Sequence, residues 1–214
     1  MIYSSESLSP SNPIEIMPLG DSITDGHLVP GGYRTDLWYR LTKQRGYPIR
    51  FVGSLSNGPN ILPQKQHEGH SGWTIDRIRG EVEGWLDRSQ PDIILLTIGT
   101  NDVIQYRRVE IALDRLNSLI EEIFARLPQV RLFVTSLPPI ATPHINARVM
   151  HYNQGVRELV TQKENSAHHL NFVEMNAIFN LDDLPDGIHP NRNGFYKMAI
   201  VWDKALETTL NDWN

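Results

Sequence analysis

The sequence predicts an α/β protein, a three-layer sandwich with a central parallel sheet between helices, on three observations. Apolar, β-branched runs recur at 14–19, 49–52, 93–98, 130–135 and 170–173. Most are near-continuous rather than alternating, which is how strands covered on both faces read. The segments between them carry apolar residues at three- and four-residue intervals, the spacing of helices that bury one stripe.

In chain order, the first run ends at Gly20, and a short loop of small and polar residues follows to Gly26. Helical spacing then covers 33–44, ahead of the second run. Residues 54–72 form the longest irregular stretch, and a long loop in a compact domain is often functional. Helical spacing returns at 75–88, and the third run ends in Gly99-Thr100-Asn101-Asp102. Two further helix–strand steps follow, 110–127 into 130–135 and roughly 147–164 into 170–173. The last helix follows Pro190, with Phe195, Met198, Ala199, Trp202 and Leu206 on one stripe. Pro190 suits its first turn, where a missing N–H is tolerated. Sites in such sheets form beyond the carboxyl ends of the strands. Attention therefore falls on the Gly20–Gly26 loop, the stretch around Gly72, the Gly99–Asp102 turn and the loop before the last helix.

At 214 residues one domain, 1–214, is the default, with 1–12 read as a poorly ordered N-terminal extension. A net charge of −5 argues against a nucleic-acid partner, which would meet a basic face. No cysteine occurs, so disulfides, thiolate metal sites and a cysteine nucleophile are excluded. No run approaches a membrane span, so no membrane partner is expected. No secretory signal is visible at the N-terminus, which reads as cytoplasmic by default and as secreted if a signal was removed. Oligomeric state is not legible.

A serine is a poor nucleophile until a base takes its proton and a third group orients that base. Ser22 lies in the first loop, and eight histidines compete for the role of base. His189, in Asp186-Gly187-Ile188-His189-Pro190, lies just before the last helix. Across that turn Asp186 can accept the Nδ1 proton of His189 and leave Nε2 to face a serine. The same five residues also read as a turn with a polar helix entry. Asn101 reaches the sheet's carboxyl edge, where its amide can donate to an oxyanion or merely cap the next helix. Gly72 precedes a helix and offers either a second donor or a hinge.

Taken together, Gly20-Asp21-Ser22, Gly72, Gly99-Thr100-Asn101-Asp102 and Asp186-Gly187-Ile188-His189-Pro190 resemble the four ordered blocks of the SGNH, or GDSL, hydrolases. The stretches IMPLGDSITDG, GYRTDLWYRL, FVGSL and HEGHSGWTIDRI resemble, more narrowly, carbohydrate esterase family 3, whose activity is deacetylation of xylan-type polysaccharides. The resemblance implies a flavodoxin-like sandwich with a five-stranded parallel sheet. It implies Ser22 as nucleophile, His189 as general base and later acid, and Asp186 as the group orienting His189. The N–H groups of Ser22 and Gly72, with the Asn101 side chain, would form the oxyanion hole. The substrate would be a small ester or an acetylated carbohydrate, and no cofactor is implied. Ile23 stands where many relatives have leucine, a conservative packing change.

Other readings compete. A phosphate loop is disfavoured by the missing lysine and by Asp21 and Asp25. His67, Glu68 and His70 fall one residue short of a zinc-binding H-E-x-x-H, and His168-His169 precede a strand, so no metal is expected. Trp73 reads either as a pocket wall for substrate or as packing, and Arg34 either as a substrate contact or as the partner of a carboxylate at the helix start. A lipase or thioesterase-like enzyme on longer acyl chains, or a silent carbohydrate-binding relative, are the alternative functions.

Overall fold

The computed structural model describes residues 12–105, 108–163 and 169–213, so most of the expected N-terminal extension lies outside the described residues, as does His168. Each expected run forms a strand: β1 (Ile14–Gly20), β2 (Ile49–Phe51), β5 (Ile93–Thr97), β6 (Arg131–Thr135) and β7 (His169–Val173). All pair in parallel. Two short strands join them, β3 (Leu55–Ser56) and β4 (Gln66–Gly69), which pair with each other antiparallel. The seven strands run β3-β4-β1-β5-β6-β7, with β2 beside β1.

β2 and β4 share one edge of β1. β2 lies along Ile14–Ile16, and β4 along Leu19 and Gly20. The changeover falls at Pro18. Ile16 turns its carbonyl to Val52 N and Gly20 turns its own to His70 N, both on that edge. Pro18, midway, faces the same edge with no N–H to give, so the ladder breaks there and a second segment takes over. Gln66–Gly69 has no β-branched residue. Its strand is imposed by the end of β1 rather than by its own propensity.

Successive residues of the strands feed opposite cores. Ile14, Ile16, Ile93, Leu95 and Phe133 pack toward α2 (Gly32–Tyr39) and α7 (Arg192–Asn211). Met17, Leu19, Ile94, Leu96, Leu132 and Val134 pack toward α3 (Ile75–Ser89), α5 (Val109–Arg126) and α6 (Pro143–Lys163). Burial on both faces explains the near-continuous apolar runs. Two short helices lie at the carboxyl edge: α1 (Ser22–Asp25) after β1 and α4 (Thr100–Gln105) after β5. The helix expected over 33–44 is α2 continued by a π-helical turn at Arg40–Gln44. Among the described residues, no helix is long and apolar enough to cross a membrane.

Candidate active site

β1 delivers its serine through a forced bend. A Cβ at Gly20 would lie 2.0 Å from the Thr97 carbonyl oxygen, so only glycine lets the chain leave the sheet beside β5. Asp21 then caps α1, accepting from Ile23 N at 3.0 Å. Ser22 follows as the first helical residue and is 6% exposed.

Ser22 Oγ lies 2.8 Å from His189 Nε2, and His189 Nδ1 lies 2.7 Å from Asp186 Oδ2. An ionised carboxylate only accepts, so Nδ1 carries the proton and Nε2 accepts from the serine hydroxyl. The other Asp186 oxygen accepts from the backbone N–H groups of Ile188 (2.9 Å) and His189 (2.7 Å). Partial burial alone would push this carboxyl up. The hydrogen bonds from His189 and Ile188 outweigh it and hold the pKa down at about 2. Asp186 thus stays ionised beside the ring. Pro190 is not in the first turn of α7, because Asn191 is the N-cap, accepting from Gly194 N at 3.0 Å. Pro190 instead ends the loop before the cap.

Gly72 is exposed, with φ of +80°, the third residue of a turn closed by Trp73 N donating to the His70 carbonyl. That position in a type II turn requires positive φ. Ser71 Oγ donates to Asp25 Oδ2 at 2.8 Å, tying the turn to the helix that carries Ser22. Asn101, on α4, donates from Nδ2 to the Trp73 carbonyl at 2.9 Å. An amide has two N–H donors, so one remains beyond this brace. Asp102, fully buried, accepts from Ile75 N at 3.0 Å and caps α3 from outside, since Thr74 makes no side-chain cap. Residues 101 and 102 therefore clamp the segment from Trp73 to Ile75.

Arg34 requires a correction. Its side chain is wholly buried, and it neither reaches substrate nor pairs with a carboxylate at the helix start. It donates to the carbonyls of Thr24, Asp25, Asn57 and Lys65 and to Asn57 Oδ1. It stitches the end of α1 to the irregular stretch, and burial lowers its pKa to about 10. Trp73 stacks on His70, with ring centroids 4.3 Å apart, and carries the Arg77 guanidinium 4.9 Å from its ring.

The His67–Glu68–His70 group has other employment. Burial drives the His67 pKa down to about 3, and its Nδ1 accepts from Gly69 N. Glu68 takes Ser54 N, Ser54 Oγ and His70 Nε2. One residue was overlooked in the sequence: His27, just past the Gly26 cap, packs its ring 4.4 Å from that of His189. His27, Asp186 and His189 present ligand-type atoms within 4.8 Å of one another. Both His189 nitrogens are already hydrogen-bonded, so the group reads as a hydrogen-bonded chain with a neighbour rather than as a metal centre.

A profile of the GDSL-like lipase/acylhydrolase family matches residues 19–196, a span from the end of β1 into α7 that includes every residue above. The chain belongs to that family. By class it is a carboxylic ester hydrolase. The crystal structure of a Clostridium thermocellum family 3 carbohydrate esterase superposes with a TM-score of 0.86 at 38% identity, covering 94% of this chain and 99% of that one. An acetyl esterase, a serine-to-alanine mutant with an acetate ion, gives 0.83 at 27% identity, covering 94% and 100%. A multidomain esterase of Ruminococcus flavefaciens is 32% identical over 94% of this chain, which spans only 29% of that relative's length. This GDSL-family chain is therefore close to carbohydrate esterase family 3.

Proposed function

We propose that this GDSL-family chain is a serine esterase that removes acetyl groups from carbohydrate by way of an acyl-enzyme. The observation that carries the reading is the unbroken line from Ser22 Oγ through His189 to Asp186, at 2.8 and 2.7 Å. Ser22 attacks the ester carbonyl while His189 Nε2 takes its proton. Asp186 holds the ring in the required tautomer and stabilises the imidazolium. The tetrahedral oxyanion is met by the N–H groups of Ser22 and Gly72 and by the free amide hydrogen of Asn101. Ser22 N heads α1 and has no acceptor within that helix. His189 returns the proton to the leaving alcohol, and water repeats the sequence on the acyl-enzyme. The acetyl and carbohydrate assignments are supported by the kinds of proteins this chain is similar to.

Ser22→Ala removes the nucleophile and leaves the hydrogen bonds of the loop in place. Turnover of p-nitrophenyl acetate is expected to fall by about 10⁴-fold or more with an unchanged melting temperature. A variant retaining most of its activity would refute the mechanism. Substrate is read separately, by p-nitrophenyl esters of increasing acyl length and by acetate release from acetylated xylan. A preference for longer chains points to a lipase-like enzyme, and no turnover at all to a silent binding relative.

A further inference from the structure

Asp21 stands beside the proposed nucleophile and no step above uses it. It caps α1, but a cap needs only one side-chain oxygen, which Ser, Thr or Asn supplies without a charge. The residue is completely buried, and only Oδ1 is engaged, by Ile23 N. Oδ2 is buried, and the Thr100 hydroxyl of α4 is the polar side chain that favours its charge there. Holding a half-satisfied carboxylate in the interior is costly, and capping a four-residue helix does not account for it.

The titratable groups around Asp21 narrow the explanation. Asp102 faces it from α4, Tyr33 from α2, Tyr152 from α6 and His189 from the loop before α7. Asp102 repels a negative charge. Burial raises both tyrosines above the ordinary phenol range, to about 12 for Tyr33, so they stay neutral. His189 is the group among these that becomes positive during the reaction. We propose that Asp21 is a positioning residue whose carboxylate, enclosed behind Ser22, stabilises the imidazolium that His189 becomes as the serine attacks. This rests on the mechanism proposed above and adds a second carboxylate to it.

The two carboxylates act by different physics. Asp186 touches the ring, but its side chain is 39% exposed, where water screens its charge. The hydrogen bonds of the ring go to Ser22 and Asp186, so Asp21 acts through the dry interior, where charge carries further. Its surroundings also set a condition. Burial, the largest influence, raises the Asp21 pKa to about 6, so the charge is present at neutral pH and withdrawn below that. A group whose folded-state pKa is raised favours the folded state when protonated, so its ionisation destabilises the fold as pH rises from about 4 to 6.

Asp21→Asn tests this, because asparagine keeps the cap and removes the charge. Its kcat at pH 8 is expected to fall roughly 3- to 10-fold with KM little changed. The acid limb of its rate profile moves to lower pH by about half a unit to one unit. Melting temperature at pH 7.5 stays level or rises. In the Ser22→Ala background, NMR follows the His189 ring, which titrates at lower pH once Asp21 is replaced. Asp21→Ser, a second cap without charge, gives the same pattern. Wild-type kcat and an unmoved His189 titration overturn the proposal, and so does lost activity accompanied by a lower melting temperature. An active Ser22→Ala would instead overturn the mechanism. An inactive Ser22→Ala with a wild-type profile for Asp21→Asn overturns this inference alone.

Discussion

Ser22 and His189 meet at 2.8 Å, yet the two halves of the site are held in opposite ways. The serine half is set from within. Gly20 is pressed against β5, Asp21 is enclosed, and buried Arg34 gathers carbonyls from both sides of the loop. The histidine half is a surface turn. Asp186 holds it by accepting from Ile188 and His189, and Ala141 N donating to the Gly187 carbonyl ties it to the loop after β6. The lesson is that the proposed nucleophile is placed by the core and the proposed base by local hydrogen bonds. Damage to the groups that brace the first half, such as Arg34, should therefore appear as lost stability, and damage to the second half as lost rate.

The sharpest way to break this contrast is Asp186→Asn. It leaves the core untouched and removes the partner that selects the His189 tautomer. We expect kcat to drop about 10³- to 10⁴-fold with a melting temperature within a few degrees of wild type. A large loss of stability would show that the turn is part of the core after all. Arg34→Met is the converse. It strands several buried carbonyls, so denaturant titration should show a loss of about 3–5 kcal/mol, while kcat per folded molecule stays near wild type. Asn101→Ala falls between the two halves, since the amide braces Trp73 and is also the proposed third oxyanion donor. A fall in kcat of roughly 10²-fold is expected, and a change confined to KM would assign the amide to binding.

The smallest effect is in pH. Asp186 sits at about 2, below the usual carboxylate, so its stabilising contribution is present above about 4 and is lost as pH falls toward 2. Asp21 sits at about 6, so its burden lifts as pH falls from 6 to 4. Urea midpoints across this range should rise and then fall for the wild type. Asp21→Asn should lose the rise, and Asp186→Asn should lose part of the fall.

Much of this was legible in the residues. The five parallel strands were visible because burial on both faces leaves continuous apolar runs. Ser22, Asp186 and His189 could be nominated because the chemistry of ester cleavage restricts residue type, and family resemblance supplied the order of the blocks. β4 was not legible, since its strand comes from an edge left open by Pro18 and not from its own residues. Arg34 was misread because a guanidinium looks the same in sequence whether it meets a ligand or backbone carbonyls. The grip of Asp102 on Ile75 and the ring of His27 against His189 link residues far apart in the chain or set by a turn's exact path.

What the chain determines by itself is therefore periodic and chemical: where apolar residues recur, which side chains can react, and where glycine lets the backbone turn. What only the tertiary structure decided is which polar groups are denied water. Asp21 and Asp186 are the same residue type, each within three positions of a proposed catalytic side chain, and one sits near 6 while the other sits near 2. Solvent exposure and hydrogen-bond partners separate them, and both arise from segments that meet only when the sheet is assembled.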